Sequence, residues 1–398
     1  MRKLLLFLVA IFAISAQVTA NGDSAALQAM AENVCRFADN FLKVIAADNP
    51  GNLISSSLSA QLSLAMAAYG AGGTTATQMR TALFIPDDNE LGQSGYQSLI
   101  DTLNAVQGVE LRLANKLFTS TRIPVKADFK AMTDTRFRSA NQEVDFDHAN
   151  AAANTINSWC DQQTMHRIKD LVTPDDMTPD TVLVIVNAIY FKGQWNRKFI
   201  PRLTKRRAFH LDAERTKNVS TMYVQHKFVT GDIPEVDARF IEIPYKDNLM
   251  SMIIIRPNEI NGLKTVVGNL SLVNLTQRLR RNTLRPVKLF LPKFKMESTF
   301  DLKITAQKLG ISEVFEDSAN FSGIADVPIK IKKIVQKAFI EVNEEGSEAA
   351  VATGVISMFR SARIEPDVVQ FEVDRPVMYA IRHTASNAIL FSGLLVEP

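Results

Sequence analysis

Residues 182–191 read Val-Leu-Val-Ile-Val-Asn-Ala-Ile-Tyr-Phe, apolar almost throughout and rich in β-branched side chains. A strand that alternates in character buries one face; a run that is apolar on both parities has to be covered on both. The fold must therefore supply a sheet with material on either side, and Asn187 is the one polar intruder in it.

The flanking segments supply that material. Over 25–46, Leu27, Met30, Val34, Phe37, Phe41 and Val44 recur at three- and four-residue steps and predict a helix, ended by Asp48, Asn49, Pro50 and Gly51. After Leu53–Ile54, the positions Leu58, Leu62, Ala65, Met66 and Tyr69 mark a second helix, with Ser and Ala between them implying close packing on more than one face. Gly70, Gly72 and Gly73 stop it, and Thr74 and Thr75 restart a helix there rather than line a phosphate loop. Val109, Leu111 and Leu113 alternate with Glu110 and Arg112, the pattern of a half-buried strand. Residues 240–256 read as strand around Pro244 and Tyr245, and 368–373, 377–382 and 388–396 as closely spaced strands. No regular strand–helix–strand repeat, internal repeat or Pro/Gly/Ser-rich linker divides the chain, so a single α+β domain is expected over 21–398.

At 398 residues, 46% hydrophobic and 22% charged, the chain has ample material for a core, and a net charge of +3 gives no case for nucleic acid. Arg2 and Lys3 followed by an apolar run from Leu4 to Ile14, with Val18 and Ala20 at the exit, predict a signal peptide over 1–20 and a secreted, extracellular product. The run is too short to span a bilayer, so no membrane partner is expected. Cys35 and Cys160 are expected as free, largely buried thiols, a single bridge between them being the alternative. With secretion, the sequons at Asn218, Asn269, Asn274 and Asn320 become candidate glycosylation sites.

Enzyme motifs are missing. The five histidines, His148, His166, His210, His226 and His383, make no H-E-x-x-H and no cysteine-rich metal pattern, and there is no G-x-S-x-G elbow or phosphate loop. No cofactor, metal or catalytic residue is expected, although a triad scattered along the chain would leave no local signature. Two basic clusters occur, Arg202, Lys205, Arg206 and Arg207, and Arg278, Arg280, Arg281, Arg285 and Lys288. Solvated surface is the plainer reading of both; an anion site for a sulfated glycosaminoglycan is the sharper one.

Residues 341–367 say most about function. Glu344-Glu345-Gly346-Ser347-Glu348-Ala349-Ala350-Val351-Ala352-Thr353-Gly354 is poor in anchoring side chains and reads as an exposed loop. Yet Ser347, Ala349, Val351, Thr353 and Val355 share one parity and are all small or β-branched, while Glu348 falls on the other with Ala350, Ala352 and Gly354. The same segment therefore fits a central strand, with the first set facing a core and Glu348 facing water.

These residues resemble the hinge of the serpin family: an acidic pair, Gly, Ser/Thr, Glu, then small residues. The resemblance runs from about residue 25 to Pro398 in ordered blocks. They are Asn52 with Ser56 and Ser59; Asn115-Lys116-Leu117-Phe118; Ile156-Asn157 with Trp159; and Asn187 through Trp195. Pro244-Tyr245, Asn320 through Ile324, Asp374-Arg375-Pro376 and Leu390-Phe391-Ser392-Gly393 follow. It implies three β-sheets, eight or nine helices and an exposed reactive-centre loop over about 344–367. Trp195 and Glu344 would lie where the loop enters the main sheet, and Ser56, Ser59, Asn187 and Gln336 would form a shutter lower down. The chain departs from the family at Ser57, where Pro is usual, at Gln336, where His is common, and at Val377, where Phe is common.

The family's spacing places the attacked bond fourteen residues past Gly346, at Arg360–Ser361, with Arg363 as the nearest rival. Met358 and Phe359 would offer subsite contacts or a secondary cut. Arginine as bait implies a trypsin-like serine protease as the partner, trapped by a monomeric inhibitor rather than an enzyme. The similarity to arthropod haemolymph serpins implies, by analogy, a clip-domain protease of melanisation or Toll activation. A non-inhibitory serpin acting as carrier, storage protein or chaperone is the alternative.

Overall fold

The computed structural model describes residues 2–178, 180–347 and 368–398, with side chains described from Ala25 to Gly346 and again from 368. The chain begins with α1 (Arg2–Asp48), β1 (Leu53–Ser55), α2 (Ser57–Tyr69), α3 (Gly73–Ala82) and α4 (Asn89–Asn104). Next come β2 (Val109–Ser120), α5 (Ala127–Phe137), β3 (Gln142–Val144), α6 (Ala149–Gln163) and β4 (Leu183–Gln194). A run of strands follows: β5 (Lys205–His210), β6 (Thr216–Ile233), β7 (Ala238–Pro244) and β8 (Met250–Pro257). Short helices α7 (Leu263–Gly268) and α8 (Leu275–Arg281) lead to β9 (Leu284–Pro292), β10 (Phe294–Asp301) and α9 (Lys303–Lys308). The chain closes with β11 (Ile331–Val342), β12 (Gly346–Ser347), β13 (Val369–Glu372), β14 (Val377–His383) and β15 (Ile389–Leu395).

The architecture is α+β, as expected. Counted by hydrogen bonding, the described strands make two networks where the resemblance implied three sheets: one of nine strands and one of six. The reason lies in β6, which trades partners along its length. It pairs with β5 at Thr216–Thr221, with β9 at Thr221–Val229 and with β7 at Val229–Ile233, joining what would otherwise be separate sheets. The six-stranded network runs β10-β11-β4-β2-β3, with β12 also on β4.

Strand β4 is central and covered on both faces, as its composition requires. Leu183, Ile185, Ile189 and Phe191 belong to the main core; Val184, Val186 and Ala188 join a second cluster with Ala152, Ala153, Ile156 and Cys160 of α6. Helix α2 is buried from Ser57 to Ala68, which explains its small residues, and it packs against β2 and β4. The helix predicted over 25–46 is the later part of the longer α1. The stretch read as strand over 240–256 is a hairpin of β7 and β8, turned by Asp247 (φ 67) and Asn248 (φ 59). Among the described residues, no helix is long and apolar enough to cross a membrane.

Candidate functional site

The end of β4 and the turn after β11 make one built corner. The parallel β11–β4 ladder stops at Phe339↔Tyr190, and β12 takes the freed edge of β4 in the antiparallel sense, Gly346↔Gln194 and Ser347↔Gly193. The reversal is tight: Asn343 N donates to Gly346 O (2.9 Å) and Gly346 N to Asn343 O (3.3 Å). Glycine is required here. Gly346 has φ 144, and a Cβ on it would lie 2.0 Å from Gly193 O.

Trp195 holds this corner from the β4 side. Its ring is 2% exposed, stacks on Tyr245 at 4.6 Å and 11°, and donates from Nε1 to Asn343 O (2.9 Å). Its backbone N donates to Glu345 O and Phe199 N to Glu344 O, both at 2.9 Å. The acidic pair is anchored too. Glu344 accepts from Thr204 Oγ1 (2.8 Å) and meets Lys293 Nζ at 2.8 Å, and Glu345 is bridged by Lys198. Burial pushes the Glu344 carboxyl up, but the hydrogen bonds from Lys293 and Thr204 outweigh it and hold it below its ordinary value.

A second polar cluster sits deeper on the same strands. Gln336 lies directly across the ladder from Asn187, and both are fully buried. The Gln336 amide clamps the backbone of Ser56: Oε1 accepts from Ser56 N (2.9 Å) and Nε2 donates to Ser56 O (2.8 Å). Ser56 caps α2 by accepting from Ser59 N (3.2 Å) and donates from Oγ to Leu390 O (2.6 Å). Ser59 Oγ donates to Asn115 Oδ1 and lies 3.3 Å from Asn187 Oδ1, which also accepts from Ser63 Oγ (2.9 Å). Asn187 Nδ2 reaches Val335 O at 3.4 Å. Four strands and a helix N-terminus are thus tied through side chains rather than by ladder bonds alone.

The structure brings Trp195, Glu344, Glu345 and Gly346 together at the corner, and Ser56, Ser59, Asn187 and Gln336 together in the buried cluster. It places Ser347 by its backbone pairing only. Glu348, Ala349, Ala350, Val351, Ala352, Thr353, Arg360 and Ser361 lie outside the described residues. Sequence reasoning missed Lys198, Thr204, Lys293 and Asn343 at the corner, and Ser63 in the cluster. Asn115 was singled out as part of a block, without a role.

Of the sequons, Asn218, Asn274 and Asn320 are exposed and Asn269 is half-buried. Asn274 caps α8 through Oδ1 (2.9 Å to Gln277 N), and Asn269 Nδ2 donates to Thr265 O (2.9 Å). The basic clusters are partly neutralised: Arg207 pairs with Glu372 at 2.5 Å and Arg278 with Glu235. Cys35 and Cys160 are free, and burial pushes their thiols up to about 11 and about 12, which makes them poor nucleophiles. A serine–histidine contact, Ser386 Oγ to His383 Nδ1 (2.9 Å), belongs to the β14–β15 turn, where Ser386 N also donates to that nitrogen.

Comparison with known proteins matches the family model described as Serpin (serine protease inhibitor) over residues 32–398. A leukocyte elastase inhibitor from Bos taurus is 38% identical over 373 residues, 91% of this chain and 98% of its own. An antitrypsin from Bombyx mori is 33% identical over 357 residues, 88% of this chain and 89% of its own. Among solved structures, Serpin48 of the insect Tenebrio molitor superposes with a TM-score of 0.85 at 32% identity, covering 93% of this chain and 98% of that one.

Proposed function

The chain belongs to the serpin family, and from that premise we propose that it is a secreted inhibitor of a trypsin-like serine protease, baited by the Arg360–Ser361 bond. The observation that carries the reading is the seat of β12. The first two residues of the small-residue segment already pair antiparallel with β4, at the point where β11 leaves it.

Continuing that register downward assigns each later position a neighbour. Ala349 would come opposite Phe191, Val351 opposite Ile189 and Thr353 opposite Asn187, all on the face of β4 that looks into the main core. Glu348 would come opposite Lys192, and Ala350 and Ala352 opposite Tyr190 and Ala188, on the face that α6 covers lower down. Both parities of the segment are therefore suited to their surroundings, the inward one by small or β-branched shape and the outward one by a charge pair above and alanines below. This strand position is filled only if β11 parts from β4, which breaks their ladder from Phe339↔Tyr190 toward Ile331↔Leu183. The buried Ser56–Gln336–Asn187 cluster straddles that line and sets the resistance to early opening.

In the mechanism that follows, the protease serine attacks the Arg360 carbonyl and forms the acyl-enzyme, and the amine of Ser361 leaves. The freed segment then adds to the sheet as a strand, the serpin transition the general rules of strand addition describe. The tethered protease is carried along, and displacement of its catalytic groups by about 1 Å costs on the order of 100-fold in rate. Insertion has only to outrun deacylation. Secretion rests on the leader read from residues 1–20, and control of an extracellular clip-domain cascade on the arthropod analogy.

Incubation with trypsin tests the reading. An SDS-stable complex at the sum of the two masses less the released peptide that begins at Ser361 is expected. A chain that is merely clipped, with trypsin fully active, contradicts it.

A further inference from the structure

Three arginines meet at the end of the β7–β8 ladder, next to the link between β13 and β14. Arg239 of β7 and Arg256 of β8 lie directly opposite each other in the antiparallel register. Like charges in that relation repel and cost stability. Arg375, two residues before β14, joins them by sharing a carboxylate: Asp374 Oδ1 accepts from Arg375 Nε at 2.9 Å and from Arg256 Nε at 3.3 Å.

The carboxylates nearby do not balance the three guanidiniums. Burial pushes the Asp374 carboxyl up, but Arg375 and Arg256 outweigh it and keep it below its ordinary value, so one anion serves two cations. Asp232, near the end of β6, stands 3.3 Å from Arg239 Nε, but it is 76% exposed. That Nε is shut off from solvent and has no hydrogen-bond partner among the described residues. Beyond its contact with Asp374, Arg256 makes no hydrogen bond among the described residues either. Burial first, then Arg375 and, more weakly, Arg239 press the Arg256 guanidinium below its ordinary value, against the pull of Asp374. The neighbouring charges are already matched. Arg278 of α8 pairs with Glu235 and donates to Asp232 O (3.0 Å), and Asp237 accepts from Asn258 Nδ2 (2.7 Å).

We propose that Arg239, Arg256 and Arg375 bind a small tetrahedral oxyanion of the phosphate type. Such an anion offers oxygens to more than one guanidinium fork at once, whereas a planar carboxylate is filled by one. It would relieve the repulsion across the ladder and give the stranded Arg239 Nε an acceptor. The side chains of Arg256 and Arg375 are only 16% and 15% exposed, which favours a compact ion or ester over a polyanionic chain. None of the three belongs to the basic clusters singled out in the sequence. No residue of β4, β11 or β12 takes part, so the proposal is independent of the inhibitor reading.

Inorganic phosphate is the probe, titrated calorimetrically into the full chain near neutral pH at an ionic strength fixed with sodium chloride. Saturable heat is expected, with a higher melting temperature than in chloride alone. Arg239→Gln and Arg256→Gln should each weaken phosphate at least about tenfold. Asp232→Asn, at an exposed position that spares the fold, should strengthen it severalfold by releasing Arg239. Glycerol 2-phosphate distinguishes the sources. Affinity equal to that of phosphate assigns the site to a phosphate ester, and binding at least about tenfold weaker assigns it to the free ion; both fit the proposal. The absence of saturable heat overturns it. So does wild-type affinity in both arginine variants, which would put the phosphate on the exposed basic clusters, or the lack of any gain in Asp232→Asn. Trypsin trapping is not read in these titrations, so their failure leaves the proposed function standing.

Discussion

Gln336 carries no titratable proton, yet it supplies both an acceptor and a donor to the backbone of Ser56. The family's usual histidine would change charge near neutral pH; this amide does not, so the buried cluster is built to hold equally well on either side of pH 6.5. Gln336→Ala should cost about 2–4 kcal/mol, because it strands a buried N–H and C=O together, and urea unfolding checks it. Asp39 behaves in the opposite way. Its folded value of about 6 stands above the ordinary 3.8, so the folded state holds the proton more tightly. Its stabilising contribution is complete below about pH 4 and lost as pH rises through about 6. Burial is what raises the carboxyl, so Asp39→Asn should raise the stability of the protein by about 2 kcal/mol above pH 7, with the gain vanishing below pH 4. A variant less stable than wild type at both ends would contradict the burial argument.

Helix α2 shows what one departure from family habit does to an element. Ser57 is its first residue, buried, with an Oγ that has no partner among the described residues, and Ser56 before it is already extended (φ −112, ψ 100). Proline suits the first position of a helix, and an extended residue suits the position before it. Ser57→Pro should stabilise the fold by about 0.5–1 kcal/mol, read as a later urea midpoint with an unchanged slope. Strand β12 depends on glycine instead: Gly346→Ala would drive a methyl into Gly193 O, detach the strand and speed hydrogen exchange at Ser347 N. The small-residue parity that begins at Ser347 runs into residues outside those described, whereas helix α2 was legible in the sequence, from its spacing and glycine stop. The turn between β7 and β8 was not, because the apolar run on each side hid the Asp247–Asn248 pair that makes it. Lys293 and Lys198 were not legible either. Each is far in sequence from the glutamate it anchors, and a lone lysine reads as surface. Ser63, a polar residue inside a helix, gave no sign that its hydroxyl faces Asn187 across the layers.

On the proposed reading, the molecule as a whole holds a strand position in reserve, bounded by β4 on one side and β11 on the other and entered at Gly346. Both faces of β4 are already dressed for a newcomer, the main core on one and α6 on the other. Thr353→Arg would bring a guanidinium opposite Asn187 in that interior. It should turn the inhibitor into a substrate, leaving trypsin active and the chain cut, while the uncut protein melts as before. The most direct measurement compares melting temperatures of the intact chain and of the chain severed once between Arg360 and Ser361. About ten new ladder hydrogen bonds at ~1 kcal/mol each, against an unfolding entropy of roughly 2 cal/mol/K per residue, correspond to a rise of about 10 °C or more. A severed chain that melts at or below the temperature of the intact one contradicts the account.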